Sequence, residues 1–271
     1  MASELITRDL YNGKYHMVHN PNAKGRSPRY LVNDTEKPKG VTTILGQTLS
    51  KDLISWAVGM ATDYLKAKLP VVTEQDLEEA GKAYMYRRDA GASTGTEAHA
   101  LVEDYLKGKD VEPSNSTKEA QNAYRAFVKW FEGLDKVEVI NVEEVIYSES
   151  LEYAGTYDCM LKIDGVVYPC DLKTTNSSRK APDGVYAENF LQLGAYAYAH
   201  NEQRLYEIEN GGTELVEIEG LMVISAKKTG VLDIKTASDI DMSVEECGEL
   251  FKQVVNLFRF LGDKTKELGG K

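Results

Sequence analysis

The dipeptide Asp164-Gly165 constrains the fold of this chain more than any other feature, because it separates two segments, GTYDCMLKI and VVYPCDLKT, with the two-residue periodicity of β-strands. Asp-Gly favours a tight type I′ turn, in which both central residues adopt positive φ. The sequence therefore predicts an antiparallel hairpin centred on this pair. In that register each residue i faces residue 329 − i, so Asp158 faces Asp171.

Two opposed carboxylates repel each other, since directly facing Cβ atoms on paired strands are about 4.5–5.5 Å apart. A bridging divalent cation would relieve the repulsion, and carboxylate oxygens suit Mg²⁺ or Mn²⁺. The alternative is a pair of carboxylates at a solvated end of the hairpin.

Alternation puts Lys173 on the same face as Asp171, so that Asp-x-Lys forms one cluster. The register also sets Cys159 opposite Cys170, as two small buried hydrophobic residues.

The remaining periodicity predicts a mixed α/β fold, with a small central mixed sheet flanked by helices and a helical N-terminal portion. Helices are expected near residues 51–67, 75–90, 95–107, 117–133, 186–200 and 243–268. A further strand is expected in VEVINVEEVIY, and two more near residues 215–226 and 231–236.

The domain organisation follows from the same pattern. Two tyrosine-containing segments flank the turn-rich NPNAKGRSP, which predicts an N-terminal arm or hairpin over residues 1–40. Residues 41–271 are expected to form a single domain, with a helical part over 41–135 and a sheet core over 136–271.

Charge and cysteine usage exclude several classes of protein. A net charge of −11 over 271 residues argues against nonspecific coating of nucleic acid, which depends on Lys and Arg. Residues 1–70 nevertheless carry ten Lys/Arg against six Asp/Glu, so either a phosphate-contacting surface or a solvated face without a partner fits there. Three cysteines are too few for a disulfide scaffold, and none lies in a C-x-x-C pair that would suggest zinc or an iron–sulfur cluster. With no apolar run that spans a membrane and no secretion signal, we expect a cytoplasmic protein.

Two helical segments carry polar pairs at a spacing of four residues. Thr94-Gly95-Thr96-Glu97 predicts a capping box, followed by His99 and Glu103 on one helical face, where they could reach a metal. Such a pair is also common on ordinary helix surfaces. Gln192 and Tyr196 share a face of NFLQLGAYAYAH, where either a nucleotide contact or amphipathic packing accounts for them.

In order along the chain, these residues form a recognisable pattern: Gly95/His99/Glu103, Gly155/Asp158, Asp171/Lys173 and Gln192/Tyr196. The pattern resembles the RecB-like branch of the PD-(D/E)xK nuclease superfamily, which includes mitochondrial genome maintenance exonuclease and exonucleases of phages and prophages. The likeness extends over roughly residues 40–260. Tyr157 occupies the place of the proline that names the superfamily, and the four cysteines of iron–sulfur relatives are missing, so no such cluster is expected.

The resemblance implies a magnesium-dependent DNA exonuclease in recombination, repair or replication, with Mn²⁺ as a substitute. It makes His99, Asp158, Asp171 and the backbone carbonyl of Leu172 metal ligands, with Glu103 available for a second ion. Lys173 would act with Asp158 and Asp171 in catalysis. Gln192 and Tyr196 would contact the substrate.

The expected partners are DNA, single-stranded or with a free end, and a single-strand annealing or helicase protein. The chain lacks a Walker A motif, so ATP-driven unwinding would have to come from a separate protein. A phage-encoded protein would act in the cytoplasm of its bacterial host. Two alternatives stay open: a structure-selective endonuclease of the same fold, and a non-catalytic nucleic-acid-binding accessory protein.

Overall fold

The architecture is taken from a computed structural model of the chain. The described residues are 4–24, 27–49, 54–175, 184–212 and 215–267.

A three-stranded antiparallel sheet opens the chain, and we call it the N-terminal sheet. Its strands, in spatial order, are β1 (Ile6–Leu10), β2 (Tyr15–His19) and β3 (Tyr30–Val32). Tyr11 and Met17 are buried against Val145 and Tyr147 of the larger sheet. The hydroxyl of Tyr11 donates to the carbonyl of Tyr147 at 3.1 Å. The two sheets therefore share one apolar cluster and pack as neighbours.

The larger sheet is mixed. Its strands are β4 (Lys39–Gly40), β5 (Val137–Ser148), β6 (Tyr153–Ile163), β7 (Val166–Thr175), β8 (Met222–Lys227) and β9 (Leu232–Thr236). β6 lies in the middle, with β5 antiparallel along one edge. On its other edge, β6 pairs antiparallel with β7 and parallel with β4. β8 continues the sheet parallel to β7, and β9 ends it antiparallel to β8.

The β6–β7 hairpin has the predicted register. Asp164 and Gly165 both have positive φ, at 51° and 94°, as a type I′ turn requires. Pairing runs from Ile163 and Val166 at the turn to Cys159 and Cys170. Both cysteines are buried free thiols, as expected of small hydrophobic residues.

Helices cover both faces of the larger sheet, which confirms the predicted mixed α/β fold class. The described α-helices are α1 (Val41–Thr48), α2 (Ile54–Lys66), α3 (Glu74–Leu106), α4 (Lys118–Phe131), α5 (Ala187–Glu209) and α6 (Val244–Glu267). One apolar core contains side chains of α1, α5 and α6, including Leu193 and Phe251. The core on the opposite face contains Leu101 of α3 and Phe127 of α4.

The predicted break before residue 95 is wrong, because α3 continues through it as one helix of 33 residues. The hydroxyl of Thr94 donates to the carbonyl of Ala90 within this helix, at 3.1 Å. Glu97 accepts instead from the backbone N–H of Thr117 at 2.7 Å, just before α4. The true capping box of α3 is formed by Thr73 and Asp76.

Three smaller differences separate prediction from structure. The helix α1, which begins directly after β4, is absent from the predicted elements. The strand expected from residue 215 begins only at Met222. The predicted start of the first helix, at residues 51–53, lies outside the described residues. Within the described part of the chain, the helices lack the combined length and apolar character that crossing a membrane requires.

Candidate active site

The site forms where β6 changes neighbours. Its pairing with β7 ends at Cys159, and its pairing with β4 involves Tyr153 and Ala154. Between these two stretches, the side chain of Asp158 accepts a hydrogen bond from the backbone N–H of Leu172 at 2.7 Å. A carboxylate therefore takes the place of a strand carbonyl at this point of the sheet. The same carboxylate has its other oxygen 3.3 Å from Nδ1 of His99 on α3.

Asp171 and Lys173 form the second half of the site. Nζ of Lys173 lies 2.8 Å from Oδ1 and 2.7 Å from Oδ2 of Asp171. The Asp171 side chain is only 4% exposed, whereas that of Lys173 is 30% exposed. The ammonium group of Lys173 thus lies between a buried carboxylate and the protein surface.

Gln192 and Tyr196 of α5 complete this network. The amide nitrogen of Gln192 donates to Oδ1 of Asp171 at 3.2 Å and to the hydroxyl of Tyr196 at 2.8 Å. The amide oxygen accepts from Lys173 at 3.2 Å. Gln192 is consequently fixed as a bridge between β7 and α5, and Tyr196 is buried behind it.

Two glycines of the sequence pattern allow the helices to approach the strands. A Cβ at Gly95 would lie 3.0 Å from the hydroxyl of Thr174, so the glycine lets α3 lie close to β7. A Cβ at Gly155 would lie 2.6 Å from the ring of Tyr196, well inside van der Waals contact. Both glycines therefore serve close packing at the site.

We expect Gly155→Ala to destabilise the protein by about 1–3 kcal/mol, the usual cost of overpacking. Displacement of Tyr196, the partner of Gln192, should also lower the DNA cleavage that the sequence resemblance implies. Thermal melting and activity on one preparation measure both effects. Gly81→Ala is the matched control, because its added Cβ meets nothing within 4 Å and alanine favours the helix by up to about 1 kcal/mol. Unchanged melting of Gly155→Ala would contradict the packing role.

Opposite charges and burial control the ionisation of the site. Burial alone would lower the pKa of His99, but the charge of Asp158 and their hydrogen bond raise it to about 9. Burial opposes ionisation of Asp158 as well, yet His99 and Lys173 hold its pKa below the usual value. Asp171 differs, because burial and the charge of Asp158 outweigh Lys173 and raise its pKa. Against its burial, the two aspartates raise the pKa of Lys173, which is a cation at neutral pH.

Glu143 is a member of the site that the sequence did not reveal. It belongs to β5, has a positive φ of 55° and lines a cavity together with Asp158. Burial and the charge of Asp158 raise its pKa to about 7. Positive φ in a residue other than glycine costs roughly 1–3 kcal/mol and is concentrated at functional sites. The strain and the shifted pKa together mark Glu143 as part of the same acidic cluster.

The central cavity, about 260 Å³ in volume, brings most of the predicted residues together. Those that line it are His99, Asp158, Asp171, Lys173, Gln192 and Tyr196. A second cavity, of about 680 Å³, shares Thr42, Lys173 and Gln192 with the first and extends between α1 and the start of α5. Lys173 and Gln192 therefore border open space on two sides.

Two predicted residues stand apart from the central cavity. Glu103 forms an ion pair with Lys107 one turn along α3. The side chain of Leu172 is buried in the apolar core. Both border a narrow neighbouring space that also touches His99 and Asp158. The roles of Glu103 and of the Leu172 carbonyl as metal ligands stay predictions.

The donor types of the site suit a magnesium ion. Oδ2 of the buried Asp171 makes no hydrogen bond within the described structure, although it is ion-paired with Lys173. Among described residues, no group of three or more His, Cys, Asp or Glu side chains is arranged to hold a metal. Mg²⁺ commonly binds through one or two carboxylates and keeps several waters, so Asp158 and Asp171 fit it without a third side chain.

Comparisons with known proteins give little beyond this geometry. No protein-family model matches the chain, and no curated protein matches it significantly. The crystal structure of a "Putative exonuclease" from Eubacterium rectale matches 62% of this chain and 68% of its own, with 12% sequence identity and a TM-score of 0.31. A likeness of that degree carries no argument about function.

Proposed function

We propose that the protein is a magnesium-dependent nuclease that hydrolyses phosphodiester bonds in DNA and removes nucleotides from a strand end. The observation that carries the proposal is the convergence of Asp158, Asp171 and Lys173 on one cavity, with Gln192 bridging the aspartate and the lysine. Acidic side chains beside a fixed cation are the groups that phosphodiester hydrolysis uses. The preference for a strand end follows the sequence resemblance.

Asp158 and Asp171 would hold the ion, with His99 orienting Asp158 through their ion pair or, on losing its proton as the ion binds, completing the ligand set. Mg²⁺ bound there would lower the pKa of a water molecule and offset negative charge on the phosphate. Ion pairing with Asp158 fixes the imidazole of His99 against the strand. The backbone N–H of Leu172 in turn fixes the carboxylate of Asp158. This support keeps the first aspartate oriented before the substrate binds.

Lys173 would stabilise charge on the phosphate rather than remove a proton from water. Its raised pKa keeps the ammonium protonated at neutral pH. Two acceptors, on Asp171 and Gln192, fix its position, and its partial exposure leaves it reachable from the cavities. A preorganised positive charge stabilises the additional negative charge of the transition state. Gln192 thus supports catalysis by positioning the lysine.

Degradation of end-labelled DNA tests the proposal. We expect magnesium-dependent release of nucleotides from linear single strands or duplexes, with no cleavage in EDTA and none by Asp171→Asn. Cleavage of covalently closed circles would instead indicate an endonuclease. DNA binding without cleavage under any divalent ion would indicate a non-catalytic accessory protein.

His99→Ala should lower activity by about tenfold to a hundredfold, the range typical of lost metal-site support. The helix should survive, because alanine has the higher helix propensity. Activity and thermal melting across a Mg²⁺ titration separate the two roles of the residue. His16→Ala is the control. Like His99, His16 pairs with an aspartate, Asp9, at 2.7 Å, but this pair lies on the surface and outside the cavity. Full activity at low Mg²⁺ with reduced melting would make His99 a packing residue.

A further inference from the structure

The N-terminal sheet supplies part of the wall of the central cavity. His19, Arg29 and Tyr30 line this cavity together with Asp158 and Lys173. These three residues precede the part of the chain that carries the sequence resemblance. An imidazole and a guanidinium therefore border the same space as the acidic cluster, and the proposed mechanism uses neither.

Contacts with the larger sheet hold this wall in position. The hydroxyl of Tyr30 lies 3.3 Å from the hydroxyl of Thr156 on β6, two residues before Asp158. Arg8 of β1 forms an ion pair with Glu144 of β5 at 2.7 Å. The ring of Tyr30 also packs closely on Gly40 of β4. The N-terminal sheet is thus joined to β6, which carries Asp158, and to its neighbours β4 and β5.

His19 is a buried hydrogen-bonding group with unused capacity. It is 4% exposed and stacks on Tyr30, with ring centroids 4.9 Å apart. Its Nδ1 lies 3.4 Å from the hydroxyl of Thr156, whereas its Nε2 makes no hydrogen bond with the described residues. Burial lowers the pKa of His19 to about 4, so the ring is neutral at neutral pH. With Nδ1 accepting from Thr156, the proton resides on Nε2, which then needs an acceptor.

Arg29 provides a charge that the described protein leaves unpaired. Its side chain is exposed, and no ion pair or side-chain hydrogen bond joins it to another described residue. A guanidinium presents two parallel N–H groups that match the oxygens of a phosphate. Because the cavity also contains several carboxylates, a cation at its edge would offset the repulsion of an entering anion.

We propose that Arg29 and His19 form a phosphate-binding site for the substrate strand, next to the cleavage centre. This inference rests on the proposed function, since a DNA strand offers one phosphate to Lys173 and a neighbouring one to Arg29. The size of the cavity suits a single strand rather than a duplex, because 260 Å³ lies just below the usual range for pockets that enclose a drug-sized molecule. One phosphate would lie inside the cavity at Lys173, and the neighbouring one at its edge beside the exposed Arg29.

The test is equilibrium binding of a fluorescent thymidine oligonucleotide in EDTA, where no cleavage occurs. Arg29→Ala should weaken binding by about tenfold and reduce the salt dependence by about 0.7 in log–log slope, the value for one lost phosphate contact on a single strand. His19→Phe keeps a ring against Tyr30 and removes the nitrogens, and it should weaken binding by about threefold to tenfold. Thermal melting checks that both variants are folded.

Arg125→Ala is the matched control, because this exposed arginine of α4 contacts only Gln121 among described side chains and lies outside the cavity. Oligonucleotides with and without a 5′-phosphate distinguish a terminal from an internal phosphate. If Arg29→Ala and His19→Phe are both folded and both bind the oligonucleotide as tightly as Arg125→Ala, the proposed phosphate-binding site is rejected. Cleavage by the wild type is measured in a separate assay. If the wild type cleaves DNA but binding does not depend on Arg29, only this inference is rejected. If binding depends on Arg29 but the wild type does not cleave DNA, only the proposed nuclease function is rejected.

Discussion

Lys173→Ala is expected to lower DNA cleavage by at least about a hundredfold, comparable to losing one preorganised group that stabilises transition-state charge. Among described residues, Lys173 is the cation that contacts Asp171. His99 also acts on Asp171 through its charge, but it is ion-paired with Asp158 and so does not take the place of the lysine. Initial rates with saturating Mg²⁺, corrected for the folded fraction, provide the measurement.

The same substitution should also lower the melting temperature. Asp171 is buried and would keep only the hydrogen bond from Gln192. Removing one partner of a buried ion pair leaves a charge that is costly to keep in the folded state. Lys173→Arg restores the charge, and we expect it to recover stability more fully than activity, because a planar guanidinium does not reproduce the position of Nζ.

Lys162→Ala is the control for Lys173→Ala, since Lys162 is an exposed lysine on β6 near the turn of the hairpin. It should leave both cleavage and melting unchanged. A Lys173→Ala protein that cleaves within about tenfold of wild type has lost no more than about 1.4 kcal/mol of transition-state stabilisation. That result would remove Lys173 from the proposed mechanism.

The parts of the site that could be predicted from sequence are those fixed by local chemistry. Asp164-Gly165 sets the turn, the turn sets the register, and the register brings Asp158 and Asp171 to the same level of adjacent strands. Alternation then puts Lys173 beside Asp171. Each step depends on residues close in the chain and not on tertiary packing.

Other members of the site depend on contacts between distant segments. Glu143 is the exception, since it reaches Asp158 within the hairpin of β5 and β6, whose four-residue turn over 149–152 lacks the Asp-Gly signal and whose register shifts at a bulge between Val139 and Asn141. His19 and Arg29 reach the cavity only because the N-terminal sheet packs on β5 and β6. A sequence pattern contains no signal for such packing.

The continuous helix α3 shows how a local signal can mislead. Thr94 and Glu97 have the spacing of a capping box, but each makes a different hydrogen bond, one within α3 and one to the start of α4. Packing of α3 against β7 and α4 favours continuing the helix through Gly91 and Gly95. Tertiary contacts therefore outweigh the weak tendency of these residues to begin a helix.

Divalent metal is expected to raise the melting temperature of the wild-type protein and to have little effect on Asp158→Asn or Asp171→Asn. At an ion concentration about 100 times the Kd, binding to the folded state adds about 2.7 kcal/mol. For a chain of this size each kcal/mol corresponds to roughly 2–4 °C. Melting in EDTA and across a Mg²⁺ titration measures the shift.

The two asparagine variants should differ from each other without metal. Asp171→Asn removes a charge whose pKa is raised by burial, but it also takes from Lys173 the carboxylate that pairs with it, so the variant should melt close to the wild-type temperature. Asp158 has a lowered pKa, because His99 and Lys173 favour its charge. Asp158→Asn loses that stabilisation and should melt lower, although an amide oxygen can still accept from Leu172.

Asp104→Asn is the control, since Asp104 pairs with Lys109 on the surface, outside the central cavity. It should retain the full metal-induced shift. An equal shift in the wild type and in both site variants would show that the ion binds elsewhere. A shift lost in both variants, with a lower metal-free melting temperature in Asp158→Asn only, would support joint binding of one ion by two carboxylates in different environments.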